Sequence, residues 1–330
     1  MRTCAREERI KASTTCKFQT MARLFHTVLL AALIGAAAAE AGQKLVLTND
    51  DGWAAAFVRA HESALNAAGY DVVLSCPAVD KSGTGSSTAT PTVLTNPCEF
   101  NTCPVGSPPE GFNASNPRQN YVNAFPVDSA RFGIQTLAPK FFNGSAPDLV
   151  VAGPNVGSNA GSTVLISGTV GAATEAVLEG FPAIAFSGGS GSQVSYTTLE
   201  SDPTSTTSRA ALLYADLSIP LVNQLLSTPK PFLPGGILLN VNFPSLTSNC
   251  TAASAFKYVL ARINPASSGT PPDVSTCGTT RLPTENSIIS RSTECLVSVS
   301  VMQASNKGDA TAGNQTFVLE KLSPILSCSS

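Results

Sequence analysis

Histidine is scarce in this sequence, which contains only His26 and His61 among 330 residues. His26 lies in an N-terminal segment that we expect to be cleaved, so the mature chain would keep His61 alone. A hydrolase that forms a phosphohistidine needs a nucleophilic histidine and a second one, and a bimetallic site of the purple type needs several as ligands. Neither kind of site can be assembled here. His61 falls inside a predicted helix, where we interpret it as a packing or surface residue.

Charged residues are also few, at 13% of the chain, and the sequence has no Lys/Arg run and no aromatic RNA-binding motif. Without residues 1–41 the chain would carry 14 basic and 19 acidic side chains, a net charge near −5. A mildly acidic chain is a poor nucleic-acid binder. The G-x-G-x-x-G fingerprint is missing from the first strand–helix turn, which disfavours a dinucleotide. We therefore expect neither a nucleic-acid polymer nor NAD as a partner.

Beyond the N-terminal segment the sequence has no run of ~20 apolar residues, so no membrane span is expected. Residues 21–42 combine a short basic start, an apolar core too short for a bilayer, and small residues at a cleavage position, which is typical of a signal peptide. Cleavage is predicted after Ala41. Residues 1–20 add nothing that a signal peptide needs, so Met21 is an alternative start. We expect a secreted, extracellular protein.

Paired C-x-x-C spacings, typical of zinc sites, are absent as well. Seven cysteines remain after the predicted cleavage, and in a secreted chain they indicate disulfides, with one thiol left over. Cys76 ends an apolar strand and is our candidate for the free, buried thiol. The pairing of the other six stays open: Cys98, Cys103, Cys250, Cys277, Cys295 and Cys328. Four glycosylation sequons fit the same compartment: Asn113, Asn143, Asn249 and Asn314.

A short apolar run near the start of the mature chain is followed by two adjacent carboxylates. Leu45-Val46-Leu47 has the composition of a central parallel strand, and Asn49-Asp50-Asp51-Gly52 follows at its carboxyl end, where open α/β sheets bind ligands. Neighbouring carboxylates repel each other unless a cation lies between them. The stretch therefore indicates a metal site. The alternative is an Asx-type turn that caps the next helix, which needs only one Asp.

The same stretch begins a βαβ unit, and this unit indicates the fold class. Apolar residues recur at helical spacing over residues 53–68, and Gly69 is placed to end that helix. Residues 71–75 contain the next strand. A strand, a helix and a strand within about 32 residues form a right-handed unit. We predict an α/β protein with a doubly wound, mainly parallel, Rossmann-like sheet.

Two loops that leave later strands are predicted to reach the carboxyl edge of the sheet, called the rim below. Residues 77–90 form a Ser/Gly/Thr-rich loop that can bring the Ser82 hydroxyl to the aspartates, with a flexible surface loop as the alternative. Residues 148–187 read as a strand, a Gly/Asn-rich loop, a helix and a strand. The helix begins at Ser167-Gly168-Thr169, where free N–H groups and the helix dipole can bind an anion. An ordinary N-cap is the alternative.

Four motifs, in this order along the chain, resemble those of the SurE family of metal-dependent phosphatases and nucleotidases. They are Thr48-Asn49-Asp50-Asp51-Gly52, Lys81-Ser82-Gly83, Gly153-Pro154-Asn155 with Gly157 and Asn159, and Ser167-Gly168-Thr169-Val170-Gly171-Ala172-Ala173. The resemblance covers roughly residues 44–244. It supports the SurE-like form of the predicted sheet.

The resemblance implies a secreted phosphomonoesterase that acts on nucleoside monophosphates or other small phosphate esters. Oxygen ligands from Asp50, Asp51, Ser82 and Asn155 would hold one divalent cation per subunit, Mg²⁺ or Mn²⁺. Asp50, Asp51 and Asn155 are the implied catalytic residues. Around the substrate phosphate the resemblance places Asn49, Ser82, Asn159, Ser167, Gly168 and Thr169.

The sequence leaves the nucleophile open between water activated by the metal and Asp50 itself. The alternative from another class is a catalytically inactive secreted binding protein that keeps the fold and the anion site, and intact Asp50, Asp51 and Asn155 argue against it. A glycosidase is excluded because its two catalytic carboxylates lie ~5 to 10 Å from each other, on either side of the bond that is broken. Adjacent residues at one turn do not meet that requirement.

We divide the chain into three parts. Residues 1–41 are an N-terminal extension and signal peptide, residues 42–244 are the SurE-like core with an irregular insertion at 91–120, and residues 245–330 are a β-rich extension. In the extension, strand-like alternation occurs at 256–263, 295–302 and 316–320. By analogy with the family, this extension builds a homodimer. A local structure pinned by disulfides is the alternative.

Overall fold

The computed structural model describes residues 42–329, so the predicted signal peptide, its cleavage site and the alternative start at Met21 lie outside the described residues. The strands are β1 Lys44–Thr48, β2 Asp71–Pro77, β3 Glu110–Asn113, β4 Asn116–Val122, β5 Leu149–Val156, β6 Ala183–Gly188, β7 Ile237–Phe243, β8 Lys257–Ala261 and β9 Leu296–Gln303. The α-helices are α1 Ala56–Ala67, α2 Pro126–Phe132, α3 Ala138–Phe141, α4 Gly168–Leu178, α5 Thr198–Ser201, α6 Thr206–Leu226, α7 Glu285–Ile289 and α8 Ala312–Leu322. None of these helices is long and apolar enough to cross a lipid bilayer.

All nine strands belong to one sheet with the order β3-β4-β2-β1-β5-β6-β7-β9-β8. The six strands from β4 to β7 are mutually parallel, β3 is antiparallel to β4, and β9 is antiparallel to β7. Side chains of a strand alternate between the two faces, so Leu45 and Leu47 pack with α1 and α6 while Val46 packs with α2 and α4. The predicted fold class is confirmed.

The segment 91–120 is not irregular throughout, which corrects the sequence analysis. Its last part forms β3 and most of β4, a hairpin that extends the sheet beyond β2. Residues 116–120 were not predicted to be a strand because this part of β4 is polar where a buried strand is normally apolar. Gln119 donates a hydrogen bond of 2.8 Å to Glu62 of α1, and Asn120 donates one of 3.3 Å to the Leu74 carbonyl of β2. These partners let polar side chains occupy buried positions.

The C-terminal part is joined to the main sheet rather than forming a separate appendage. β8 and β9 confirm two of the three predicted strands, and β9 lies between β7 and β8. The third prediction is wrong, because residues 316–320 lie in helix α8. The helix buries Gln315, Val318 and Leu322, which are spaced at helical intervals, and Thr311 caps its N-terminus through a bond from the Asn314 N–H.

The structure pairs six cysteines and leaves the predicted one free. Cys98 pairs with Cys103, Cys250 with Cys295, and Cys277 with Cys328. Cys76 is free and buried, as predicted, and burial raises the pKa of its thiol. Two of the three disulfides tie the C-terminal part together, in agreement with the alternative of a disulfide-pinned structure.

Candidate active site

Both aspartates of the β1 motif lie on the rim, and both are buried. The Asp50 carboxylate rests on the first turn of α4. Its Oδ2 accepts a hydrogen bond of 3.0 Å from the Thr169 backbone N–H, and its Oδ1 accepts one of 2.5 Å from the Thr169 hydroxyl. A helix N-terminus favours a negative charge in this position. Gly168 permits the approach, because a Cβ on that residue would lie 2.9 Å from the Asp50 Cβ.

The Asp51 carboxylate points to a different part of the rim. Its Oδ2 accepts a hydrogen bond of 3.0 Å from the Val156 backbone N–H at the end of β5. Its Oδ1 accepts one of 2.7 Å from the side-chain amide of Gln193. The same amide nitrogen lies 2.9 Å from the Asp80 carboxylate and 3.2 Å from the Ser82 hydroxyl. Gln193 therefore links three polar groups from two segments, the turn after β1 and the loop after β2.

Burial raises the pKa of Asp50, and burial together with the charge of Asp50 raises the pKa of Asp51 well above its ordinary value. Two adjacent buried carboxylates are therefore costly to ionise together unless a cation is bound. Asn49 adds a further acceptor, since its buried Oδ1 has no hydrogen-bond partner among residues 42–329. A buried oxygen without a partner, on the residue that precedes two carboxylates, is a ligand that a bound cation can use.

The side-chain atoms at the rim that could bind a metal ion are oxygen atoms. No cluster of three or more His, Cys, Asp or Glu residues suited to a metal occurs in the described part of the chain. A cation at the rim would therefore depend on Asp50, Asp51 and neutral oxygens. Such a donor set suits Mg²⁺ or Mn²⁺ rather than zinc or copper.

Asn155 lies close to Asp50, as the sequence motif predicts. Its Oδ1 is 3.3 Å from the Thr169 hydroxyl that binds Asp50, and its Nδ2 donates a hydrogen bond of 2.6 Å to the Gly157 carbonyl. That second bond turns the amide oxygen toward Thr169. The structure thus brings three of the four predicted metal ligands, Asp50, Asp51 and Asn155, to one rim.

Three other predicted site residues are hydrogen-bonded to other groups of the protein. Ser82 is exposed and donates a hydrogen bond of 2.7 Å to Asp80, so it reaches Asp51 only through Gln193. The Asn159 side-chain amide donates a bond of 2.9 Å to the Ser187 hydroxyl. Ser167 is the N-cap of α4, where its Oγ accepts a bond of 3.1 Å from the Val170 N–H. The capping interpretation therefore applies to Ser167.

Sequence reasoning missed Gln193, Asp80 and Glu99. Gln193 stands in a Gly/Ser/Thr-rich loop, and no local pattern marks it. The Glu99 Oε2 would lie only 2.1 Å from a Cβ on Gly52, so this carboxylate covers the residue next to Asp51. Burial and the neighbouring charge of Asp80 raise the pKa of Glu99 to about 7. The Asp80 side chain could have been found from its place in the loop after β2, beside Ser82.

His61 supports the rim from below. Its Nδ1 lies 2.8 Å from the Gly153 carbonyl of β5, its Nε2 lies 2.6 Å from the Ser218 hydroxyl of α6, and its ring packs edge-on against Phe186 of β6. Burial lowers the pKa of His61 to about 4, so the ring is neutral in the folded protein at pH 7. A neutral ring can donate from Nδ1 to Gly153 and accept at Nε2. The predicted packing role is confirmed.

Comparison with known proteins adds a family to this geometry. The family model described as survival protein SurE matches residues 45–266. An acid phosphatase of Yarrowia lipolytica is 38% identical over 218 residues, which cover 63% of this chain and 60% of that protein. A 5′-nucleotidase SurE of Microcystis aeruginosa is 34% identical over 205 residues, which cover 62% of this chain and 64% of that protein. The chain thus spans less than two thirds of the length of these relatives.

Among solved structures, the SurE protein of Aquifex aeolicus superposes with a TM-score of 0.55 at 21% identity, over 85% of this chain and 99% of that one. At this identity the superposition shows the fold alone. The matched residues 45–266 include Asp50, Asp51, Ser82, Asn155 and the start of α4. The chain belongs to the SurE family.

Proposed function

We propose that the protein is a phosphomonoesterase that uses one divalent cation, Mg²⁺ or Mn²⁺, on nucleoside monophosphates or other small phosphate esters. The observation that carries the proposal is the buried pair Asp50 and Asp51 on the rim, preceded in the chain by Asn49 with its buried, unsatisfied side-chain oxygen. The names of the relatives, an acid phosphatase and a 5′-nucleotidase, support the same reaction class. Asp50, Asp51 and Asn155 would hold the cation, and Ser82 would stand at its outer edge.

A bound divalent cation neutralises phosphate charge and makes water a better nucleophile. The residues of the chain supply orientation. Thr169 holds both oxygens of Asp50, and Val156 and Gln193 hold those of Asp51, so neither carboxylate needs to reorient when substrate binds. The N-terminus of α4 adds a positive dipole end beside Asp50, which favours negative charge on the phosphoryl oxygens.

Secretion is part of the proposal. Its support is the predicted signal peptide together with three disulfides, which persist in oxidising compartments. Glycosylation at the sequons and a homodimer through the C-terminal part stay predictions.

The test is a screen of the purified protein against p-nitrophenyl phosphate and nucleoside monophosphates. We expect phosphate release that EDTA abolishes and that Mn²⁺ or Mg²⁺ restores. Release that is unaffected by thorough chelation would reject the cation. Tight binding of phosphate esters without release would reject the enzyme and support the inactive binding protein.

Replacing Thr169 should show whether its hydroxyl acts by holding Asp50 or only by capping α4. Thr169→Val keeps the shape but removes the hydroxyl, and a hydrogen bond to a charged group contributes ~1.5 to 3 kcal/mol, so kcat/KM should fall roughly ten- to hundredfold. The matched control is Ser167→Ala, which removes only the cap and should cost ~1 kcal/mol of stability with turnover nearly unchanged. Melting temperature and kcat/KM of both variants decide the matter. Equal kcat/KM for Thr169→Val and the parent would contradict the role of the hydroxyl.

A further inference from the structure

The loop after β5, residues 157–161, is held from below by polar side chains of β7. The Asn159 backbone N–H donates a hydrogen bond of 2.8 Å to the Asn242 side chain. The Asn159 carbonyl accepts bonds from the side-chain amides of Asn240, at 2.9 Å, and Asn242, at 3.3 Å. This loop, called the Asn159 loop, directly follows Asn155 and Val156, which contact the candidate metal site.

A buried carboxylate from the C-terminal part completes this network. Glu285 is the first residue of α7 and is 0% exposed. Its Oε2 accepts a hydrogen bond of 2.9 Å from the Gly161 N–H, and its Oε1 accepts one of 2.7 Å from the Asn240 side chain. The Asn240 amide therefore uses one proton on Asn159 and the other on Glu285. Glu285 therefore contacts the Asn159 loop directly at Gly161 and, through the Asn240 side chain, at Asn159.

The burial of Glu285 is costly, because none of the described residues forms an ion pair with it at 4.0 Å or less. Burial raises the pKa of Glu285 to about 7, and the hydrogen bonds from Gly161 and Asn240 oppose this effect. A carboxylate that only filled space would be replaced at lower cost by an apolar side chain. Its two acceptor oxygens match two fixed donors, which indicates a positioning role.

We propose that Glu285 is a positioning residue that holds the Asn159 loop, and through it Asn155, in the geometry of the metal site. The path is short: Glu285 fixes Gly161 and Asn240, Asn240 fixes Asn159, and the Gly157 carbonyl of the same loop fixes the Asn155 amide. Glu285 lies outside the region that the SurE family model matches, which ends at residue 266. As a statement about catalysis the proposal rests on the proposed function.

Glu285→Gln is the decisive variant, because it keeps the size but places an NH₂ group against one of two donors. Direct Mn²⁺ binding, followed by electron paramagnetic resonance, should weaken about tenfold, and kcat/KM should fall by a similar factor. The Mn²⁺ concentration for half-maximal activity should rise, and excess Mn²⁺ should restore part of kcat. Glu285→Asp keeps the charge and should recover part of the Mn²⁺ affinity.

The matched control is Asp273→Asn, a second buried carboxylate of the C-terminal part. Asp273 pairs with Arg262 at 2.8 Å and accepts a bond from the Leu282 N–H. Among the described residues it makes no hydrogen bond to the Asn159 loop, although the Arg262 carbonyl accepts one of 2.9 Å from the Glu285 backbone N–H. Asp273→Asn should lower the melting temperature, while its Mn²⁺ affinity should differ from that of the parent by less than about twofold. The proposal would be overturned if Glu285→Gln bound Mn²⁺ as tightly as the parent while Glu285→Gln and Asp273→Asn lost similar amounts of melting temperature. Glu285 would then have only a structural role.

Hydrogen exchange keeps this test separate from the proposed function. The peptide that contains residues 157–161 should exchange faster in Glu285→Gln than in Asp273→Asn, whether or not the protein hydrolyses phosphate esters. If the parent releases no phosphate under any metal, the proposed function fails, and the exchange result still decides whether Glu285 holds the loop. Unchanged exchange in Glu285→Gln would overturn the proposal by itself.

Discussion

Asp51→Asn should lower kcat/KM for p-nitrophenyl phosphate about a thousandfold at saturating Mn²⁺. The Asp51 carboxylate accepts from both the Val156 N–H and the Gln193 amide, and an Asn side chain offers one acceptor and one donor to these two donors. It also lacks the charge that a cation requires. The rise in melting temperature that Mn²⁺ produces in the parent should disappear.

The matched control for this variant is Asp80→Asn. Asp80 contacts the same Gln193 amide, at 2.9 Å, but it is exposed. Its replacement should reduce kcat/KM less than about tenfold, because solvent screens an exposed charge. Equal losses in the two variants would show that general acidity of the rim, rather than the buried pair, determines activity.

Acidification should reduce the stability advantage that His61 gives the folded protein. The pKa of His61 is lowered to about 4 by burial, whereas the unfolded chain titrates near its ordinary value of 6.5. The contribution of the neutral His61 ring to the free energy of unfolding is therefore fully present above pH 6.5 and is lost as the pH falls toward 4. Between pH 7 and pH 4 the difference in free energy of unfolding between the parent and His61→Asn should shrink by about 3 kcal/mol.

Urea unfolding of both proteins at several pH values measures this difference. His61→Asn is chosen because its amide NH₂ can still donate to the Gly153 carbonyl, so the variant removes the titration while it keeps that contact. His61 is the only histidine among residues 42–329, so no other imidazole contributes. Other carboxylates with raised pKa values act equally in both proteins and cancel. A difference that stays constant from pH 7 to pH 4 would contradict the neutral, buried ring.

The sequence predicted the sheet well because its signals are local. Leu45, Val46 and Leu47 are all apolar, so both faces of their strand are apolar, as in a parallel strand covered on both sides. The end of the first helix at Gly69 follows from helix geometry. The same reasoning failed at residues 316–320, where a short apolar run fits both a strand and one turn of a helix. Nothing local distinguishes the two, and burial against the core selects the helix.

The candidate site was predicted in its residues but not in its contacts. Asp50 and Thr169 are 119 positions apart, and Asp51 and Gln193 are 142 apart. Periodicity and turn chemistry report neighbours within a few residues, so they indicate which groups reach the rim and not which pairs form. Thr169 was therefore interpreted as a phosphate ligand or a cap, whereas its hydroxyl and N–H hold Asp50.

The position of β9 between β7 and β8 determines the order in which the protein can be built. During synthesis β7 is completed more than fifty residues before β9, and β8 can join the sheet only through β9. A nascent chain therefore presents β7 as an open edge, the kind of surface at which chains aggregate. The contacts from Glu285 to residues 124 and 45 positions earlier complete the network below the Asn159 loop, so a chain that stops before Glu285 should lack the support of that loop.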